Sequence, residues 1–165
     1  MKYLQTLLCT LFIAVFFIAC KSKEEANQAQ NYYNQIDTLQ NQLKNQLVLT
    51  NNALEGDIQY AAADSIKNKM LASIDEFKNK LNRLEFLAND ESLKESFNNL
   101  LNNYHKTFTE AYPKIFEIRF DSTKQTEENV IVLSEIIRTI DAGEAEFGNK
   151  FVQAQKSFKS TYKLP

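Results

Sequence analysis

Residues that break, bridge or catalyse are scarce in this chain. Its 165 residues hold three glycines, two prolines, two cysteines, one histidine and no tryptophan. With Gly56, Gly143, Gly148, Pro113 and Pro165 as the breakers, long segments run uninterrupted, and their apolar period decides their type. A di-iron bundle needs Glu-x-x-His on two helices. Here the one histidine is His105, and position 102 is Asn, so that site cannot be built. No Cys-x-x-Cys-His, Gly-rich phosphate loop or Gly-x-Ser-x-Gly elbow occurs. A nucleophile, base and orienter are not found together, so no enzyme, cofactor or metal is expected. His105 stands between Tyr104 and Lys106 and reads as a solvated or half-packed helix residue. The formal charge of -2 with no basic block argues against nucleic acid. No basic amphipathic helix is present to hold a membrane surface.

What is present begins at the N-terminus. Lys2 precedes an almost wholly apolar run from Leu4 to Ala19, and Cys20 leads into Lys21-Ser22-Lys23-Glu24-Glu25. A basic start, an apolar middle and a small residue before the cut form the layout of a secretory signal. The run is about 16 residues, short of the roughly 20 that cross a bilayer. With Cys20 directly after Ala19, it resembles a bacterial lipoprotein signal, although Phe17 stands where Leu is commonest. The resemblance implies a signal peptide over 1–19, acylation of Cys20, and membrane attachment through that lipid. Lys21 in place of Asp implies the outer membrane, with the periplasmic or surface face left open. Lys23-Glu24-Glu25 resembles the charged tethers of surface lipoproteins, and 20–27 is read as a tether. Without residues 1–19, roughly 146 of the 165 residues remain, one domain's worth. Cys9 leaves with the signal, so the mature domain has neither free thiol nor disulfide.

Residues 28–165 read as helix throughout. Tyr32/Tyr33, Ile36, Leu39, Leu43, Leu47, Thr50 and Leu54 recur at steps of three and four, one face of a helix. Glu55-Gly56-Asp57 ends it. Ala62, Ile66, Met70, Ile74, Phe77, Leu81, Leu84 and Ala88 make a second face, broken at Asn89-Asp90-Glu91. Ser92 and Glu95 have the spacing of a capping box. A third face follows: Leu93, Phe97, Leu100/Leu101, Tyr104, Phe108, Ala111, Ile115, Ile118. Pro113 lies inside it and predicts a kink, with the Thr109 carbonyl left without its N–H partner. Asp121-Ser122-Thr123 closes that helix. Val130, Leu133, Ile137, Ile140, Phe147, Phe151, Ala154 and Phe158 mark the fourth. Four helices of about 28–36 residues with short turns predict an all-α, up-down-up-down antiparallel four-helix bundle behind a signal-peptide helix. In it, the Gly56 and Ser122 turns lie farthest from the lipid.

The lipid signal, Asn31-Tyr32-Tyr33-Asn34, the Phe97–Tyr104–Phe108 middle and the closing Phe151-Val152-Gln153-Ala154-Gln155-Lys156-Ser157-Phe158 together resemble small helical surface lipoproteins of Gram-negative bacteria. That family carries no assigned activity. The resemblance implies location and fold and supplies no site residues. The chain is therefore expected to act by binding or by structure at the outer envelope. The alternative is a periplasmic carrier or sensor of a small apolar ligand held between helices.

Two features stand out as candidate sites. Glu144 falls on the apolar stripe of the fourth helix, between Gly143 and Phe147. Either rotation swings it to the edge and water, or it is a buried polar group that must be paired or protonated, serving as a polar register lock or as one wall of a small ligand pocket. The membrane-distal tip is richer in apolar groups than a stripe of about 100° needs. Phe108, Tyr112, Phe116 and Phe120 form a second row beside Ala111, Ile115 and Ile118, and Val130-Ile131-Val132-Leu133 lies across the turn. This is either a thick core or a surface slot for a protein partner or apolar ligand. The second reading assigns the slot to Tyr112, Phe116, Phe120, Val130 and Ile131, with Arg119 at its polar rim.

Overall fold

A computed structural model describes the backbone of residues 2–85 and 91–165 and the side chains of residues 23–85 and 91–165. The side chains of the 1–19 signal and of Cys20, and the expected break at Asn89-Asp90 with Ala88 before it, lie outside these. Every described element is helical: α1 (Lys2–Glu55), α2 (Tyr60–Asn82), α3 (Ser92–Lys106), a π-helical turn (Thr107–Ala111), α4 (Tyr112–Phe120), a 3-10 turn (Ser122–Lys124) and α5 (Glu127–Tyr162). Because α3, the π turn and α4 run on without a gap, the protein is all-α with four helices, and no strand occurs among the described residues. Among those residues no helix is long and apolar enough to cross a membrane.

The predicted stripes are the buried faces. Ala29, Tyr32, Ile36, Leu39 and Leu43 of α1 meet Met70, Ile74, Phe77 and Leu81 of α2, Phe97, Leu101 and Tyr104 of α3, and Phe151 and Phe158 of α5. Phe97 and Phe151 lie 4.9 Å apart between centroids, and Phe158 bridges Tyr32 and Tyr162 at 5.8 and 4.7 Å. On α2 the stripe is entered at Ala63, fully buried, instead of Ala62, which is exposed. The helix begins only after Gln59, whose extended backbone sets the register. It also closes earlier than predicted, at Asn82. There the terminal carbonyls of Asn82 and Leu84 accept from the Lys94 ammonium of α3, at 3.2 and 3.0 Å. A helix end needs such partners, and here another helix supplies them. At 23 residues α2 is shorter than predicted.

The helix expected to take Ser92 as its cap is capped one residue earlier. Ser92 is the first helical residue, so Glu91 holds the cap position, and its side chain makes no cap hydrogen bond. Three other ends follow the rules of capping. Thr126 Oγ1 accepts from the Asn129 N–H at the start of α5, with Glu127 and Glu128 in the first turn. Asp121 Oδ1 accepts from Thr123 N–H and Oγ1–H, which holds its carboxyl below the usual carboxylate range. The end of α5 turns through Lys163 in the left-handed region (φ 52°), with Leu164 N–H donating to Lys159 O. That pattern usually carries glycine.

Pro113 bends the chain in a way not foreseen. In place of a simple kink, one wide turn precedes the proline, closed by Tyr112 N–H donating to Thr107 O. A π turn inserts one residue into an α-helix. From Tyr104 to Phe120 an unbroken α-helix would drift about 160° past four full turns. The extra residue takes back about 100° of this. Phe108, Tyr112, Phe116 and Phe120 therefore stay close to one face, with successive centroids 4.3, 5.7 and 5.8 Å apart.

Candidate functional site

That aromatic row ends in a second, smaller core of Leu54, Ala63 and Phe116, covered by Ile58, Ile66 and Phe120. Phe116 is 2 % exposed. Its assignment to a surface slot is corrected: the π turn rotates it inward, and Tyr60 of α2 closes over it and over Phe120 edge-on, at 6.4 and 5.8 Å. Arg119 is likewise no free rim. Its guanidinium donates to Leu54 O at 2.5 Å, in the last turn of α1, and to Gly56 O at 2.6 Å, just beyond it, and lies over the Phe120 ring. Tyr112 and Phe120 are half-buried. Val130 and Ile131 are 58 % and 63 % exposed. The tip is thus divided: α4 is core, and the first half of α5 is surface.

The exposed face extends beyond the residues picked from sequence. Val132 and Ile137 of α5 and Val48 and Leu49 of α1 are also exposed. Leu47-Val48-Leu49 carried the same signal as Val130–Leu133, since three consecutive apolar residues of a helix cannot share one stripe.

Ile137 borders a groove between α1 and α5. Toward the C-terminus, α1 and α5 touch: Gln155 Nε2 donates to Gln40 Oε1 at 3.1 Å, and Tyr33 stacks on Phe158. Toward Gly56 they part. The gap is floored by Tyr104, Phe108 and Tyr112, and it holds a cavity of about 250 Å³ between Leu47 and Asn51 of α1 and Ile137, Ile140 and Glu144 of α5. The two floor tyrosines fork across it. Tyr104 donates its hydroxyl to Glu144 Oε1 at 2.7 Å, and Tyr112 donates to Asn51 Oδ1 at 3.4 Å. Burial, then the hydrogen bond and charge of Glu144, push the Tyr104 hydroxyl far above its ordinary value. Burial, then the same charge, raise Tyr112.

Glu144 is therefore not the buried polar group that one reading made it. It is exposed, at the lip of the groove, one residue past the inward line of Ile140, Gly143 and Phe147. Gly143 takes the close approach: a Cβ there would lie 2.8 Å from Asn103 Oδ1. On the other flank of α5 a wider cleft of about 610 Å³ runs past Thr107, Ala111, Val132, Ile136 and Gly143, edged by Lys106, Lys114 and Glu135. The first half of α5 is thus undercut on both sides. His105 lies 3.9 Å from Asp75 and faces neither lip.

Comparison with protein families, curated proteins and solved structures gives no match. The chemistry of the site rests on its residues alone. They offer an apolar floor, two tyrosine hydroxyls already engaged, and a carboxylate at the lip. Among the described residues no three His, Cys, Asp or Glu side chains converge as a metal site would require. The arrangement can bind.

Proposed function

We propose that this is a lipid-anchored helical lipoprotein of the outer envelope that acts by binding a protein partner. In this reading residues 1–19 are a signal peptide, Cys20 carries the acyl chains, and the four helices form an up-down-up-down bundle. Contacts of α1 with α2, α2 with α3, α3 with α5 and α5 back with α1 support that order. Helix polarity then sets the Gly56 end, with the groove and the α5 face, farthest from the lipid.

One observation carries the binding role. Val130, Ile131 and Ile137 are large, aliphatic and solvent-exposed on a helix whose other half buries Phe151 and Phe158. Contiguous exposed apolar surface on a folded domain marks interaction sites. A small apolar ligand is the second reading, favoured by the size of the wider cleft, which falls in the usual range of ligand sites. The narrower groove at about 250 Å³ falls below that range.

Two measurements test the proposal together. Cys20→Ala is expected to leave the chain unprocessed or free of the membrane fraction. A photo-crosslinking residue at Ile131 is expected to capture a discrete envelope protein, and one at exposed Gln153 is not. A Cys20→Ala chain that still fractionates as mature, lipid-labelled protein would remove the anchor. Equal or no capture from the two positions would remove the partner.

A further inference from the structure

The face proposed above for a partner has a charge that narrows what the partner is. Over residues 127–146, α5 carries six carboxylates (Glu127, Glu128, Glu135, Asp141, Glu144, Glu146) and one cation, Arg138. Glu146 pairs with Lys150 at 2.6 Å. The other five carboxylates are exposed and make no ion pair among the described residues. Val130 and Ile137 stand seven residues apart on one edge, with half-buried Leu133 and Ile140 beside them; Glu127, Asp141 and Glu144 fall on that same side of the helix, near its two ends, with Arg138 between them, while Glu128, Glu135 and Glu146 lie on the opposite side.

The geometry suits a helix. Residues 127–146 span about 30 Å, and the groove against α1 borders the later part of that edge, from Ile137 to Glu144. A helix lying in a groove is read by anchors at intervals of three, four and seven residues, which is the spacing of Val130, Leu133, Ile137 and Ile140. A second copy of this chain fits badly. Two-fold pairing would set the same patch against itself, placing these carboxylates opposite one another, and like charges juxtaposed at an interface are costly.

We infer that the α5 edge from Val130 to Glu144 receives a basic amphipathic helix, whose aliphatic stripe covers Val130 and Ile137 and whose Lys or Arg residues meet Asp141, Glu144 and Glu127. This inference rests on the binding role proposed above and adds the chemistry of the partner.

The test uses two synthetic peptides of one helical design and one Leu/Ile stripe, flanked by Lys/Arg in one and by Glu in the other, titrated into the purified full chain by fluorescence anisotropy. The basic peptide is expected to bind at least tenfold more tightly than its acidic twin, and to weaken as salt rises. Its affinity is expected to drop at least tenfold in Val130→Ser/Ile137→Ser, where no charge changes, and also in Glu127→Lys/Asp141→Lys, where no apolar group changes. Equal binding of the twins, no binding of either, or binding indifferent to the serine pair would overturn the inference. So would a chain that sediments as a dimer and becomes monomeric on Ile137→Ser. Capture of a partner from Ile131 alongside failure of both peptides would leave the binding role standing and overturn the basic chemistry alone.

Discussion

The two halves of α5 make an instructive pair. Both are amphipathic and belong to one unbroken helix. The C-terminal half is locked: Phe151 is fully buried against Phe97, and Phe158 sits between Tyr32, Tyr33 and Tyr162. The N-terminal half shows Val130, Ile131, Val132 and Ile137 to water. The difference lies in the neighbour. Where α5 carries aromatic rings, α1 is close enough for Gln40 and Gln155 to meet. Where α5 carries short aliphatics, α1 has moved off and Tyr104 and Tyr112 reach into the gap. Hydrophobicity alone does not bury a residue. A second element must arrive within about 4.5 Å.

The largest effect expected from this comparison is on stability. Phe151→Ala removes a ring from the closed half, and truncating a buried Phe costs about 3–5 kcal/mol. Phe116→Ala should fall in the same range, because Phe116 is equally enclosed although it lies near the open end. Denaturant melts of both variants measure this. A Phe116→Ala melt close to wild type would put α4 back among the surface elements and undo the division drawn here.

An intermediate effect is expected at the floor of the groove. Tyr104→Phe deletes the hydrogen bond to Glu144, worth about 1 kcal/mol at neutral pH. It should also change the alkaline limb. In the fold the Tyr104 and Tyr112 hydroxyls are held above their ordinary value of 10.0. A raised pKa means that the folded state resists deprotonation more than the unfolded chain does. The stabilisation it reflects is whole below pH 10 and is lost as pH rises past it. Melts through the alkaline range should therefore fall more steeply for wild type than for Tyr104→Phe/Tyr112→Phe. Parallel curves would mean that the groove floor is as wet as the rest of the surface.

The sequence spoke clearly about periodicity and poorly about what meets what. Steps of three and four from Tyr32 to Leu54 and from Met70 to Leu81 located the buried faces, because that pattern is a property of one helix. Placing Phe116 needed more. With 100° per residue assumed throughout, it could be read as a surface ring; the π turn before Pro113 adds a residue and brings it inward. No local signal announces such a turn beyond the proline itself. Arg119 and Lys94 were opaque for the same reason, since each caps the end of a different helix, distant in sequence. Glu144 was ambiguous by one step of helix rotation, and Tyr104, from another helix, settled its position at the lip. Surplus apolar residues at Val130–Leu133 were legible as surplus. Which of them reach water depends on where α1 runs.

The smallest effect is the sharpest test of the difference between the halves. Ile131→Ser changes a side chain that is 63 % exposed. Little apolar area leaves water there on folding, so stability should move by no more than about 0.5 kcal/mol. Serine lowers helix propensity slightly relative to its neighbours but Ile is no better a helix former, so that contribution nearly cancels. At Phe151, twenty residues on along the same helix, truncation is costly because the site is full. A melt of Ile131→Ser indistinguishable from wild type, together with loss of the crosslinked partner, would separate binding from folding on one helix. A melt lowered by more than about 1 kcal/mol would exceed the usual range of surface substitutions. Ile131 would then be packed in solution, and the open half of α5 would be closed after all.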